Sequence, residues 1–299
     1  FCAFAKGRSA RSLRGPAYDI GFEEIASRTR EAQARGATEV CLQGGIHPHY
    51  TGETYLGIVR AVRDAVPAMH VHAFSPLEVT HGARSLGMSL PAYLAKLRDA
   101  GLRTLPGTAA EILHDDVRAI ICPDKIDTQQ WLDAHRSAHR VGLNSNVTMM
   151  FGSVEHPRSW ARHLLITRDL QRETGGFTEF VGLPFVHMAA PLYLQRRARR
   201  GMTFREVVLM HAIGRIAYDG LIDNVQASWV KIGVSGVKQL LRAGVNDLGG
   251  TLIDENISRA AGATHGQLMT EDGFKAVVYG SGRTLAQRTT LYGVAEPAR

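Results

Sequence analysis

Along almost its whole length the chain alternates short, strand-like apolar runs with longer segments of helical spacing, and this restricts it to a narrow set of folds. "TEVCLQGG" reads as a strand that ends in glycines. In "TYLGIVRAVRDAV", Leu56, Val59, Val62 and Val66 recur on one helical face. "MHVHAFSP" follows as a strand, "LPAYLAKLRDAG" as a helix with a glycine stop, and "LRTLPG" as a short strand. The series continues with strands "GLNSNVTMMFG", "FTEFVGLPFV", "NVQASWV" and "VNDLGGTL", interleaved with helices "RSWARHLLITRDLQRETGG", "TFREVVLMHAIGRIAYDG" and "GVKQLLRAG". Parallel strands need a long crossover between them, and a helix supplies it. So many βα units predict an α/β fold, a (β/α) barrel of parallel strands. Seven strands are read where a closed barrel has about eight, so the first strand is expected to precede Phe1. No low-complexity linker or shift in composition interrupts the chain, and residues 1–299 are read as a single domain.

An apolar fraction of 44% over 299 residues is enough for a sizeable core. No apolar run approaches the roughly 18 residues of a membrane span, and no signal-peptide apolar region is present. A cytoplasmic enzyme without a membrane partner is the expectation. The net charge of +7 comes from scattered residues. Its densest cluster, Arg196, Arg197, Arg199 and Arg200, has no interleaved aromatics, so a solvated loop or a phosphate contact is expected and nucleic acid is not. Three cysteines without framework spacing argue for a reducing compartment. Cys41 in "EVCLQ" and Cys122 in "AIICP" read as buried residues, whereas Cys2 in "FCAFAKG" has no core pattern around it.

Polar residues collect just after the strands, at the end where a barrel keeps its active site. They are Gly44, Gly45, His47 and His49, then Ser75 and Glu78, Pro106 to Glu111, Gly152 and Glu155, and His187. One reading is a zinc-dependent barrel hydrolase built on His47-x-His49, His70-x-His72 and Asp254. Against it, His70 and His72 lie early in their strand, and 13 histidines produce pairs by chance.

The other reading starts from "FCAFAKG" followed by "QGGIHP" (Gln43 to Pro48), which together resemble the radical S-adenosylmethionine enzymes. Their cluster motif is C-x-x-x-C-x-x-C, and on this resemblance Cys2 is its third cysteine, the other two being expected before Phe1. "TMMFGSVE" (Thr148 to Glu155) is similar to the family's fifth-strand motif beside the adenine, and "PGTAAEIL" (Pro106 to Leu113) to its fourth-strand segment. The stretches "ETGGFTEFVGLPFVHMAAPLY" and "NDLGGTLIDENISRAAGA" resemble the tyrosine-using half of the FO synthase family most. Menaquinone-pathway enzymes acting on futalosine compounds share the glycine motif and the final signature, and are the alternative.

The resemblance implies a [4Fe-4S] cluster held by three thiolates, S-adenosylmethionine on its open iron, and a 5′-deoxyadenosyl radical that takes a hydrogen from L-tyrosine. The 4-hydroxybenzyl fragment would then join 5-amino-6-(D-ribitylamino)uracil, on the route to FO and coenzyme F-420. An electron donor and the second FO synthase module, fused or separate, are the implied partners. By the same resemblance Cys2 is a cluster ligand; Phe4, Gly44, Gly45, Glu111 and Glu155 are cofactor-binding; His47 and His187 meet substrate. No catalytic residue is assigned.

Overall fold

The computed structural model describes residues 1–5, 19–253 and 255–294. Helix α1 (Phe22–Ala34) leads into β1 (Glu39–Leu42), and α2 (Gly52–Ala65) into β2 (His70–Ala73). Helices α3 (Pro76–Ser85) and α4 (Leu90–Ala100) precede β3 (Leu102–Leu105); α5 (Asp115–Ile121) and α6 (Thr128–Arg140) precede β4 (Asn144–Phe151). Next come α7 (Pro157–Thr174), β5 (Phe177–Pro184), the single turn α8 (Pro191–Leu194), α9 (Phe204–Ala217) and β6 (Val225–Ala227). Helices α10 (Trp229–Leu240), α11 (Ile257–Ala260) and α12 (Glu271–Tyr279) follow.

Among the described residues six strands pair in chain order, β1 to β6, each pair parallel, and curve into a half-barrel. Because side chains alternate along a strand, each strand has one face for the helices and one for the concavity. Val40 and Leu42 of β1 join Val71 and Ala73 of β2 in an apolar cluster with Leu56, Val59, Leu94 and Leu97 of the outer helices. A second cluster, around Trp131, Phe151, Phe180 and Trp229, fills the same layer behind β4 to β6. Close approach is required at one glycine after β3: a Cβ on Gly107 would sit 2.3 Å from the Asn146 carbonyl oxygen, so only glycine lets that loop lie against β4.

Two expectations are corrected. The segment "VNDLGGTL" is not a seventh strand: Asp247 makes only an isolated parallel bridge to Gln226. Its carboxylate accepts the Gly249 N–H at 2.6 Å, and with Gly249 at φ +71° the chain turns away before a ladder can form. Cys41, expected in the core, is exposed. It shares with Glu39 the face of β1 opposite the apolar cluster. Protein surrounds its sulfur closely enough that burial, reinforced by the charge of Glu39, pushes the thiol up to about 12. Cys122 is buried, as expected.

The end of the concavity nearest the strand N-termini is closed by a polar cluster. Arg288 pairs with Asp247 and lies 3.7 Å from Glu179. The Tyr292 hydroxyl lies within hydrogen-bond reach of both carboxylates, while Asn146 and Gln226 donate to Glu179 at 3.0 and 2.8 Å. Thr290 donates to Glu39 on β1, so a segment from the far end of the chain ties both edges of the half-barrel together.

Candidate functional site

At the C-terminal ends of the strands, two glutamates hold the loops in place. Glu78 begins as a helix-capping residue: Ser75 and Glu78 form a reciprocal capping box at the start of α3. Its carboxylate also reaches across to the loop after β1, where the N–H groups of Gly44 and Gly45 donate to Oε1 at 2.9 and 3.0 Å. Burial pushes the Glu78 pKa up, against the lowering by the Ser75 hydroxyl and the three backbone donors. Gly45 takes φ +71°, and a Cβ there would meet nothing within 4 Å. The glycine loop therefore presents bare backbone to open space while its N–H groups are anchored from behind.

Glu155 plays the matching part after β4. It accepts from the N–H groups of Gly152, Ser153 (2.9 Å) and Val154 (3.0 Å), the Ser153 hydroxyl (2.7 Å) and the Trp160 indole (2.9 Å). A carboxylate with five donors from its own chain has no lone pair left for a ligand. What Glu155 presents is the loop it holds, with Gly152 at φ +98°. Burial alone would raise its pKa, but the donors from Gly152, Ser153 and Trp160 outweigh it and hold it below the ordinary carboxylate value. A depressed folded pKa means stabilisation that is present above the unfolded value of 4.5 and lost as pH falls through the folded one. Glu155→Gln is expected to cost about 1–3 kcal/mol at pH 7. The gap from wild type should narrow below pH 4.5; denaturant melts at pH 7 and pH 4 check it, and a pH-independent gap would contradict the assignment.

Glu111 sits on the loop after β3 in a left-handed conformation, φ +47°, close to Ala109 at φ +65°. Non-glycine residues hold this region only when surroundings force them to. Here buried Arg118 supplies the force, donating to the carbonyls of Ala109, Ala110 and Ile126. The Glu111 carboxylate pairs with Lys125 at 2.7 Å. Burial would lower the Lys125 pKa, and the Glu111 charge raises it instead.

Cys2 and Phe4 are half-buried in a short turn. The backbone nitrogen of Phe1 donates to the Ile121 carbonyl at 3.3 Å, and the Phe1 ring lies 5.3 Å from the Lys125 ammonium. Cys2 is thereby set at the mouth beside the Glu111–Lys125 pair. Cys122, remote in sequence, is brought close by the same contact; burial pushes its thiol up.

His47 stands between His49 and Tyr50, with ring centroids 5.4 and 5.0 Å away, and its Nδ1 accepts the His49 N–H at 3.3 Å. His187 packs edge-on to Tyr193, centroids 4.6 Å apart. Burial and nearby Arg200 lower its pKa. Within the arginine cluster, Arg199 pairs with Glu206 at 3.1 Å. Of the residues proposed for zinc, His70 and His72 both bond to Thr104 Oγ1, at 2.8 and 2.7 Å, and Asp254 lies outside the described residues. Among the described residues no group of three metal-ligating side chains converges.

The anchoring role of Glu78, the lever of Arg118 and the half-buried Lys231 of α10 were not assigned from sequence. A Ser-x-x-Glu spacing at 75–78 was the available signal for the first. Nothing local announces the other two.

The radical SAM superfamily model matches residues 1–164, and the model of the CofH/MqnC C-terminal region matches residues 174–298. The chain is 50% identical over 293 residues to the FO synthase of Nocardia farcinica, covering 98% of this chain and 33% of that protein. It is 49% identical over 294 residues to that of Mycobacterium leprae. It thus spans about a third of the length of these relatives. Methanocaldococcus jannaschii has a 5-amino-6-(D-ribitylamino)uracil–L-tyrosine 4-hydroxyphenyl transferase that is 44% identical over 299 residues, covering 99% of this chain and 82% of that one. In fold, the chain is similar to the crystal structure of methylornithine synthase, with a TM-score of 0.68 at 18% identity over 96% of this chain and 79% of the other.

Proposed function

The chain belongs to the radical S-adenosylmethionine superfamily and, within it, to the family of the FO synthases and the tyrosine 4-hydroxyphenyl transferase; from that membership we propose that it joins the 4-hydroxybenzyl group of L-tyrosine to 5-amino-6-(D-ribitylamino)uracil. The observation that carries this reading is the end-to-end match to the M. jannaschii transferase, 82% of whose length is covered. FO synthase activity as a whole requires more than the third of those proteins that the chain spans, and a second module with an electron donor is the partner set that follows.

The superfamily implies a [4Fe-4S] cluster and S-adenosylmethionine, and the side chains at the mouth suit them. Cys2 offers a sulfur ligand beside the Lys125 ammonium, which favours an anionic group there. When bound, the cluster and S-adenosylmethionine supply one-electron cleavage of a sulfonium and, with it, a carbon-centred radical. The chain's residues bind and orient. Gly44 and Gly45, held by Glu78, bring backbone close to the methionyl group without a Cβ in the way. Glu111 is oriented by Lys125 and Arg118 toward the ribose side, and Phe4 lines the cofactor. Glu155 acts through the loop it organises, which serves as the adenine edge. His47, whose Nδ1 is already an acceptor, has Nε2 left for the substrate, and His187 stands beside Tyr193 as the second substrate contact.

A full-length form, reconstituted with iron and sulfide in the absence of oxygen, is expected to consume tyrosine only when the diaminouracil is present, releasing methionine and 5′-deoxyadenosine. Turnover of a futalosine compound with tyrosine ignored would replace this reading with the menaquinone one.

A further inference from the structure

The outer helices of a half-barrel are expected to turn polar residues to solvent, and two neighbours of the concavity do so. On α7 the exposed residues include Arg158, Arg162, Asp169 and Arg172, and on α6 they include Gln129, Asp133 and Arg140. Helix α9 is different. From Glu206 to Tyr218 its exposed residues are Leu209, Ile213 and Ile216, and no others. Leu209 and Ile213 are each 48% exposed, and Ile216 is 75% exposed. Arg215 is half-buried, its guanidinium committed to the carbonyls of Gly244 and Asp223 and to the Asn246 side chain. Exposed Leu165 of α7 and Val234 of α10, on the two helices packed against α9, add to the apolar surface. Single exposed apolar residues need no explanation, but a continuous stripe marks a surface that something covers.

The spacing of the stripe and the charges at its ends indicate what that is. Arg205, Leu209, Ala212, Ile216 and Asp219 succeed one another at intervals of four, three, four and three residues, the seam spacing of paired helices. Ala212, small and half-buried, is at the middle; Leu209 and Ile216 flank it; Arg205 and Asp219, both exposed, close the two ends with unlike charge. Such a seam is complementary to itself. A two-fold axis through Ala212 sets two copies antiparallel and brings each Arg205 opposite the partner's Asp219, about 10 Å from the axis. The same two charges stand at the wrong ends for α9 alone. Arg205 lies in the first turn, at the positive end of the helix dipole, and Asp219 lies just past the Tyr218 cap, at the negative end. Neither forms an ion pair among the described residues. In an antiparallel pair each gains an opposite charge and the opposite end of a second dipole.

We infer that the outer face of α9 is the surface on which two copies of this chain pair, antiparallel about Ala212. The face lies opposite the buried Val207, Met210, His211 and Gly214, so pairing takes place outside the half-barrel and leaves its concavity free. A helix of 14 residues is about 21 Å long. That is a small interface by the standard of permanent dimers, and the pairing is reversible.

Sedimentation equilibrium of the full-length holoenzyme between about 1 and 100 μM should show monomer and dimer in exchange. Ile216→Lys, at the most exposed position of the stripe, should weaken the dimer at least about 10-fold and leave the unfolding midpoint of the monomer unchanged. Arg205→Asp and Asp219→Arg each set like charges face to face and should weaken it by about 10-fold. Both changes suit the dipole of α9, so the monomer keeps its fold. Combining them restores unlike charge across the axis and should bring the constant back to within a few-fold of wild type. A wild-type protein still monomeric at about 100 μM, a dimer indifferent to Ile216→Lys, or a double variant no tighter than the single ones overturns the inference. So does a monomer whose unfolding midpoint falls in Ile216→Lys, which would show that another part of the longer protein covers the face.

Discussion

Replacing Cys2 by alanine in the holoenzyme is expected to abolish both the iron–sulfur cluster and product formation. A cluster of this type is held by a set of thiolates, and removal of one ligand leaves an iron that water and oxygen attack. The other two cysteines make informative controls. Cys41 lies on the concave face of β1 with its thiol pushed up to about 12 by burial and the Glu39 charge. Cys122 is buried, and its thiol too is pushed up by burial. Metal ligation needs the thiolate, and the surroundings of both cysteines disfavour it. Cys41→Ala and Cys122→Ala should therefore retain iron, sulfide and the visible absorption of the cluster. The control with most power is Cys122, because the Phe1–Ile121 contact brings it close to Cys2 in space. A cluster that survived Cys2→Ala but not Cys122→Ala would mean that the opening residues have been misassigned.

What the sequence made legible here is what local chemistry controls. Strand–helix alternation is a local signal, and six of the seven expected strands form. The seventh failed on two residues: an Asp247 side chain that bonds to the Gly249 N–H, and a Gly249 backbone with positive φ. Both are turn chemistry inside an apolar run, where the apolar signal is the stronger one. Cys41 failed on register. Glu39 and Cys41 share one face of β1, so the neighbouring charge marked that face as polar, but the run "EVCLQ" reads as apolar when alternation is ignored.

The site was legible in outline for the same reason. Glycines and acids after strands are visible one loop at a time. The couplings between loops are not. Glu78 is a capping residue by its own spacing, and its grip on Gly44 and Gly45 exists only because the ends of β1 and β2 lie side by side. Arg118 forces the backbone of Ala109 to Glu111 from a helix that the sequence offers no reason to connect to it. Long-range pairing of this kind follows from the fold, and the fold had to be known before it could be seen.

Removal of Arg288 is expected to unlock the opposite end of the half-barrel. Asp247 and Glu179 are both buried, and they share Tyr292 as a donor and Arg288 as a counter-charge. In Arg288→Met the two carboxylates face each other without a cation. Stripping one partner from a buried ionic cluster ordinarily costs about 3–5 kcal/mol. Since 29% of the Arg288 side chain is exposed, the cost should fall at the lower end, about 3 kcal/mol. The pH dependence identifies the cause. Burial and the charge of Asp247 already raise the Glu179 pKa with Arg288 in place, and losing the arginine raises it further. A carboxyl whose folded pKa exceeds its unfolded value contributes stability that is complete below the unfolded value of 4.5 and lost as pH rises through the folded one. The Arg288→Met penalty should therefore be small near pH 5 and grow toward pH 8. Adding Glu179→Gln should recover part of it, because the amide still accepts from Tyr292 without a charge to bury. Hydrogen exchange should rise first at the N-terminal ends of β5 and β6, where the clamp holds, while Gly44 and Gly45 keep their protection. A variant equally destabilised at both pH values would instead show that Arg288 contributes packing of its stem, and that the acids tolerate each other without it.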